Sequence, residues 1–394
     1  MSGFDRPSLL LSRLIGAVFA VWLVSCDAAA SQTGLESPTA PQMDVWLVTY
    51  GPGDLYWQRF GHNAIWVEAP HLGLDHTFNF GFFDFAQEHF LLRFLMGRML
   101  YFSAAQPSEV EFAQYVAENR GIVAQKLDMT HIQKEALVSE LLAVIRPDNR
   151  DYLYDYYLDN CSTRVRDALD RALDGALDSA YRGVPALLDR RDHTRRLTSS
   201  DFWLYLGLEL ALGRTVDKEI DRWEEMFLPG ELYQGVAELD GLVIEERELY
   251  QSTLAPPLLE PEAHWLRYLV AALATVVLAW LASRIVPAPL IARAWLILCG
   301  LAGLALLFFW FGTDHAAATK NMNVLVFNPL FLLGMVWKAS DRHLLQGTVL
   351  FSVAAWALGL GGSQYNADVV AAFVPLNLAA AWVLHRRAES RAAP

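Results

Sequence analysis

From Trp265 onward the chain passes through five apolar stretches in succession, at about 265–283, 292–312, 323–338, 347–362 and 368–385. A helix crosses a bilayer core with roughly 17–25 apolar residues, because in hydrocarbon each backbone amide must find its partner within its own segment. Five such stretches predict an all-α membrane domain of five transmembrane helices over 265–385, with a cytoplasmic tail at 386–394. Trp265, Tyr268, Trp310, Phe311, Trp337, Tyr365 and Trp382 lie towards the ends of these stretches, where amphipathic rings favour the interface. With 54% hydrophobic and 19% charged residues and a mean hydropathy of +0.22, the whole chain is too apolar for an ordinary soluble domain.

Basic residues set the orientation. Arg284 and Arg293, Lys338 and Arg342, and Arg386, Arg387 and Arg391 all fall on one side of the expected spans, against Lys320 alone on the other. The excess marks the cytoplasmic side. Residues 43–264 therefore form an exported domain, and Thr313–Met322 faces the same side as that domain. The other end of the chain agrees: residues 1–26 carry Arg6 and Arg13 before the apolar run Leu14–Val24, an export signal. Leu23-Val24-Ser25-Cys26 resembles a lipobox with Cys26 as the first mature residue. Cleavage after Ala28-Ala29-Ala30, or an uncleaved anchor, fits the same stretch, and all three place the downstream domain outside the cytoplasm. Residues 27–42 are a linker rich in small residues and proline.

Residues 27–264 hold 20 basic and 39 acidic residues, a net charge of −19. Such a domain repels nucleic acid and gains little from electrostatic adsorption to an anionic bilayer. No nucleic-acid partner is expected.

Within the exported domain, Val45–Tyr50 is a β-rich run stopped by Gly51-Pro52-Gly53-Asp54. A second strand comes next at Arg59–Val67, with His62, Ala64 and Trp66 on one face and Asn63, Ile65 and Val67 on the other. A third is expected at His76–Phe80 and a fourth at Met99–Phe102, with a buried or membrane-grazing helix between them at Phe85–Arg98. Ser108 with Glu111, and Thr130 with Gln133, have capping-box spacing and open helices at 109–120 and 131–145. From Ser162 onward Val165, Ala168, Leu169 and Ala172 keep helical spacing, which places Cys161 at a helix N-terminus with Asn160 or Ser162 as cap. Further helices are expected at Phe202–Leu212 and Lys218–Phe227. The pattern is α+β, a small antiparallel sheet with helices.

Of three cysteines, Cys26 belongs to the signal region and Cys299 to an expected span, so Cys161 stands alone in the exported domain without a disulfide partner. A lone thiol is commonly an inert core residue. At a helix N-terminus, however, the partial positive charge and free N–H groups favour the thiolate, and Arg164 adds to that charge. A thiolate nucleophile needs a base, and the base needs an orienting partner. His62, on a rigid strand beside Gly61, is the best placed of the histidines; Asn79 on the next strand is the orienting candidate, with His76 and Asp84 as alternatives. No cofactor motif is present. His71, His76 and His89 are irregularly spaced, without an HxxE or CxxC pattern, so no metal site is expected. The stripe Phe78, Phe80, Phe82, Phe83 and Phe85 reads as core.

Four blocks in order carry a family likeness: Gly51-Pro52-Gly53-Asp54 with Phe60-Gly61-His62-Asn63-Ala64-Ile65; Asn79–Phe85; Asn160–Asp167; and, in the membrane part, Asp314-His315 with Asn321–Leu330. They resemble the Lnb-type bacterial lipoprotein N-acyltransferases, with Phe80 standing where that family more often has Tyr. The order of His62 before Cys161 also resembles permuted papain-like enzymes of the lecithin:retinol acyltransferase type. The resemblance implies a permuted papain-like exported domain in the bacterial inner membrane. Its chemistry would be transfer of a fatty acyl chain from a membrane phospholipid, through a thioester on Cys161, to the N-terminal amine of a diacylglyceryl-cysteine lipoprotein. His62 would be the base. Asn160, Arg164, His315, Asn321 and Asn323 become candidate substrate-binding residues. A Cys-His cell-wall peptidase or amidase is the rival use of the same pair, and a non-enzymatic assembly or sensor protein the rival class.

Overall fold

The computed structural model describes residues 42–336 and 341–392. The signal region with Cys26, the linker up to residue 41 and Lys338 lie outside the described residues. The exported domain is built on seven strands, β1 (Asp44–Tyr50), β2 (His62–Ala69), β3 (Leu74–Phe83), β4 (Leu100–Pro107), β5 (Ile122–Leu127), β6 (Asp151–Leu153) and β7 (Val243–Tyr250). They form one sheet in the order β6-β4-β3-β2-β1-β5-β7, with every neighbouring pair antiparallel. The first four strands match the sequence pattern. The other three have weak signals: β6 is three residues long, and β7, Val-Ile-Glu-Glu-Arg-Glu-Leu-Tyr, is a mostly exposed edge strand whose charges suit an edge.

Period-two alternation buries both faces. Val45, Leu47, Ile65, Val67, Phe78 and Phe80 pack in one core beneath helices α3 (His131–Val144) and α4 (Cys161–Ala172). Trp46, Val48, Tyr50, Ala64 and Trp66 pack in another, against Phe112 and Tyr115 of α2 (Ser108–Ala117). A seven-residue helix, α1 (Phe90–Met96), stands where Phe85–Arg98 was expected to be helical, and its apolar side chains are exposed rather than buried. Thr130 and Gln133 form the expected capping box. The Ser108–Glu111 box does not form: Ser108 donates to Asp75, and Glu111 turns to the sheet, where buried donors on β3 and β4 compete for its carboxylate. The helix expected at Lys218–Phe227 shrinks to Arg222–Glu225.

Further along, α5 (Phe202–Ala211) packs against the start of the membrane part, where Tyr205 stacks with Tyr268. In the membrane part, among the described residues, three helices are long and apolar enough to cross a bilayer. These are α6 (Trp265–Ala282), α7 (Ala288–Gly312) and the greater part of α10 (Ala367–Ala392). The two remaining expected spans fall on α8 (Leu330–Val336) and on α9 (Asp341–Leu360), whose apolar stretch His343–Gly359 is shorter. The stretch at 323–338 is interrupted: a 3-10 turn at Met322–Leu325 leads through Asn328-Pro329 before α8 begins. Broken backbone at this depth must be sheltered and paired by protein. Gly303 of α7 allows the approach, since a Cβ there would collide with the Phe327 carbonyl oxygen. Asn377 of α10 donates to the Val326 carbonyl at 2.8 Å while accepting from the Trp295 indole at 2.8 Å.

The loop 313–322 lies against the exported domain, as the orientation of charges required. Asn321 Nδ2 donates to the carbonyls of Leu210 and Ala211 at 2.8 and 3.0 Å, and Asn323 Nδ2 to those of Glu209 and Leu210 at 2.9 and 3.1 Å. These are last-turn carbonyls of α5, which have no partner within their own helix. Asn377→Leu leaves two polar groups unpaired and should cost about 1–3 kcal/mol. The expected outcome is a lower thermal midpoint for the detergent-solubilised protein; an unchanged melt would show that the broken segment is paired in another way.

Candidate active site

Cys161 is the first residue of α4, and the local sequence explains why the helix starts there. Asn160 has extended backbone, and its Oδ1 accepts from the Thr163 amide at 2.9 Å, while Thr163 Oγ1 accepts from the Asn160 amide at 2.8 Å. Two otherwise orphaned donors are satisfied reciprocally. Asn160 Nδ2 donates to the carbonyls of Tyr156 and Phe227 at 2.7 and 2.9 Å. The cap is thus tied to two flanking segments, and the thiol is held at one place over the sheet.

His62 opens β2 on the same face as Ala64, which is paired with Asn79 of β3. His62 Nε2 lies 2.8 Å from Asn79 Oδ1. With Nε2 engaged there, Nδ1 is left to face the Cys161 thiol, which borders the same cavity as the ring; the imidazole and the backbone N–H groups of Asn63 and Ser162 act on the sulfur electrostatically. The ring plane is fixed by stacking on Tyr50 at 5.9 Å, and Tyr50 stacks in turn on Tyr115 at 3.6 Å. Opposite the thiol, Gly81 has φ +103, a conformation side chains other than glycine rarely adopt, at the irregularity between Phe80 and Phe82 in the β3–β4 register.

Behind Asn79 stands a residue whose part in the site the sequence pattern did not disclose. Glu111 of α2 is fully buried, and its Oε2 accepts from Asn79 Nδ2 at 2.6 Å, from Gln106 Nε2 at 2.7 Å and from the Thr77 hydroxyl. The Tyr50 hydroxyl adjoins the same carboxylate. Cys161, His62, Asn79 and Glu111 therefore form a continuous chain of polar contacts across β2, β3 and α2. Capping-box spacing from Ser108 was the one signal Glu111 carried, and it pointed to the helix end.

Burial alone would push the Cys161 thiol up and the His62 imidazole down. The pair reverses both: the imidazolium beside it, with the two backbone N–H groups, holds the thiol below its ordinary range, and the thiolate, the Glu111 carboxylate and Asn79 hold the imidazole above its own. The surrounding phenols stay protonated. Burial first, then the Cys161 charge, pushes Tyr101 up to about 12, and the same two causes raise Tyr154 well above its usual value.

A cavity of about 290 Å³ opens over the thiol, lined among others by Trp57, Phe82, Phe83, Tyr101, Tyr115 and Phe227. The Phe stripe expected to be core is divided: Phe78 and Phe80 are core, Phe82 and Phe83 line this cavity, and Phe85 is exposed. Of the sequence-derived candidates, Cys161, His62 and Asn79 come together, and Asn160 borders the cavity with its side chain used for capping. Arg164 forms a two-pronged ion pair with Asp159 at 2.6 and 2.8 Å and lies 3.5 Å over the Tyr152 ring. Its charge is committed there, and the largest causes that lower the thiol are the His62 imidazole and the backbone N–H groups of Asn63 and Ser162. Asn321 and Asn323 are fully buried at the junction with α5, outside this cavity. His315 borders a neighbouring cavity, where its Nε2 lies 3.0 Å from the Phe94 carbonyl oxygen. Among the described residues no group of three His, Cys, Asp or Glu is arranged to hold a metal ion.

A domain of this kind, with a thiol–imidazole pair at its centre and apolar helices behind it, defines a membrane protein with an exported thiol site. Two family models match the chain: one for the Lnb N-terminal periplasmic domain over residues 34–199 and one for the Lnb transmembrane domain over residues 255–384. The chain belongs to the Lnb family, and its N-terminal domain is periplasmic. No curated protein and no solved structure matches it.

The pKa directions fix the pH behaviour. The imidazole lowers the Cys161 thiol and the thiol raises the His62 imidazole, so alkylation of Cys161 by iodoacetamide should begin below the ordinary thiol range near 8.5. His62→Ala leaves burial unopposed by the imidazolium, and its alkylation profile should move to or above that range. Glu111→Gln removes a charge that favours the imidazolium, so the profile should move upward by a smaller amount. Profiles that coincide in all three proteins would show that the pair is not ionised.

Proposed function

We propose that this protein is a lipoprotein N-acyltransferase of the inner membrane, with Cys161 as nucleophile, His62 as general base and acid, and Asn79 as the group that orients His62. The reading is supported most by one observation, the ionisable Cys161–His62–Asn79 array on the periplasmic side of a membrane domain. Both substrates, a phospholipid and a diacylglyceryl-cysteine lipoprotein, present their reacting groups at that surface. Family membership supports the lipoprotein connection.

In the first half-reaction the Cys161 thiolate attacks an ester carbonyl of the phospholipid. The tetrahedral oxyanion lies near the N–H groups at the start of α4, where such charge is stabilised. The ester C–O bond breaks, His62 gives its proton to the departing glyceryl oxygen, and a lysophospholipid leaves behind an acyl thioester. In the second half-reaction the free α-amine of the lipoprotein attacks the thioester carbonyl. His62 takes the amine proton, the C–S bond breaks, and the thiolate–imidazolium pair is regenerated as the amide forms. The Tyr101 and Tyr154 phenols remain neutral throughout and offer hydrogen-bond donors without competing charge. The permuted papain-like comparison rests on the order of His62 before Cys161.

Mass spectrometry of lipoprotein N-termini from cells with and without the protein tests this reading. N-acylated termini are expected only with the intact protein and should be lost in Cys161→Ala and His62→Ala, while Asn79→Ala should lower the rate by about 10²-fold, in the range of a misoriented general base. Unchanged N-acylation together with altered cell-wall peptides would favour the peptidase reading instead.

A further inference from the structure

Helix α1 takes no part in the acyl-transfer steps, and its surface is unusual. Phe-Leu-Leu-Arg-Phe-Leu-Met exposes Leu91 at 78%, Leu92 at 57% and Phe94 at 60%, and Phe85 just before it is 65% exposed. A contiguous exposed apolar patch marks an interaction surface. The place where α1 is fastened identifies its partner. The loop that leaves the membrane helix α7 is bound to the end of α1: the Asp314 amide donates to the Met96 carbonyl at 2.9 Å, His315 Nε2 lies 3.0 Å from the Phe94 carbonyl oxygen, and Arg98 Nε donates to Asp314 at 2.6 Å. Phe311, in the last turn of α7, is itself 75% exposed. The apolar face of α1 is thereby continuous with the end of a membrane-crossing helix. In a domain whose net charge gives no electrostatic hold on the bilayer, apolar burial is the available attachment.

Between α1 and this loop lies a second cavity, of about 220 Å³, bordered by Phe94, Met99, Ala316 and Ala317. Tyr101, Tyr154 and Tyr156 form its inner wall and also line the cavity over Cys161. The tyrosines are thus a shared partition between a membrane-level cleft and the thiol.

We propose that α1 is seated in the outer face of the bilayer and that the cleft between α1 and residues 314–317 is the port through which an acyl chain of the phospholipid donor reaches Cys161. The inference rests on the acyl-transfer reading. An acyl chain in this port runs along Phe94, Met99, Ala316 and Ala317 to the tyrosine partition, with Asp155, Asp314 and His315 on the polar part of the cleft wall.

Two measurements on the full-length protein in phosphatidylethanolamine–phosphatidylglycerol vesicles test it. In a Cys161→Ala background, an environment-sensitive dye on Leu91→Cys should be quenched by lipids brominated in their acyl chains, whereas the same dye on Ile132→Cys of α3 should not; the background protein without either new cysteine is subtracted. An unquenched Leu91 label would overturn the seating. With Cys161 intact, Ala316→Trp, which fills the cleft, and Leu91→Glu/Leu92→Glu, which abolishes the apolar face, should each reduce Cys161 thioester formation from long-chain phospholipid by about tenfold or more. Alkylation of Cys161 by iodoacetamide should be unchanged in both, showing that the site is folded. A thioester formed by the unmodified protein and undiminished in both variants would overturn the port alone. Absence of any thioester in the unmodified protein would overturn the acyl-transfer reading, and the port with it.

Discussion

The site depends on keeping a thiolate and an imidazolium together in a place where burial disfavours both. Separately, each group would be neutral there. Together they stabilise one another, and the gain is retained only if neither ring nor sulfur can drift. Much of the exported domain bears on that requirement. The Asn160–Thr163 box and the Asn160 contacts to Tyr156 and Phe227 hold the sulfur at the start of α4. The β2–β3 register sets Asn79 beside the imidazole, and stacking on Tyr50 fixes its plane.

Glu111 gives this arrangement a sign. A neutral residue behind Asn79 would orient the amide equally well, but it would not favour the positive imidazole. The carboxylate is held in place by three donors, from Asn79, Gln106 and Thr77. It lies beyond the amide, on the side of the imidazole away from the thiol, so it biases the pair towards its ionised form without neutralising it. Arg164, the cation nearest in sequence, is held by Asp159 and Tyr152 and leaves the imidazolium as the local positive charge.

The membrane part answers a different constraint. Its broken segment and its loop 313–322 expose backbone and side-chain groups that lipid cannot satisfy, and Asn377, Asn321 and Asn323 pair them with neighbouring elements. In doing so Asn321 and Asn323 close the last turn of α5 and couple the two parts of the chain. These asparagines have the residue type of a ligand site and a mechanical role at the junction. Their burial tells the two apart.

The sequence by itself determined what depends on local pattern. Period-two alternation gave the first four strands, apolar length gave the membrane part, the distribution of basic residues gave its orientation, and the elimination of Cys26 and Cys299 singled out Cys161. The cap at Asn160 was legible because capping is a relation between residues three apart. Only the tertiary structure decided the relations that span the sheet. Glu111 reaches Asn79 across 32 positions of sequence, and its spacing from Ser108 favoured a helix cap that does not form. Whether Phe82 is core or cavity wall turns on one irregularity in the β3–β4 register, since a one-residue shift exchanges the faces of a strand. The edge strands β6 and β7 carry little intrinsic signal and exist because a neighbour supplies their hydrogen bonds. Likewise the apolar run at 323–338 has the composition of a span, and it is the close approach of Phe327 to Gly303, invisible in composition, that accommodates it as a turn followed by a short helix.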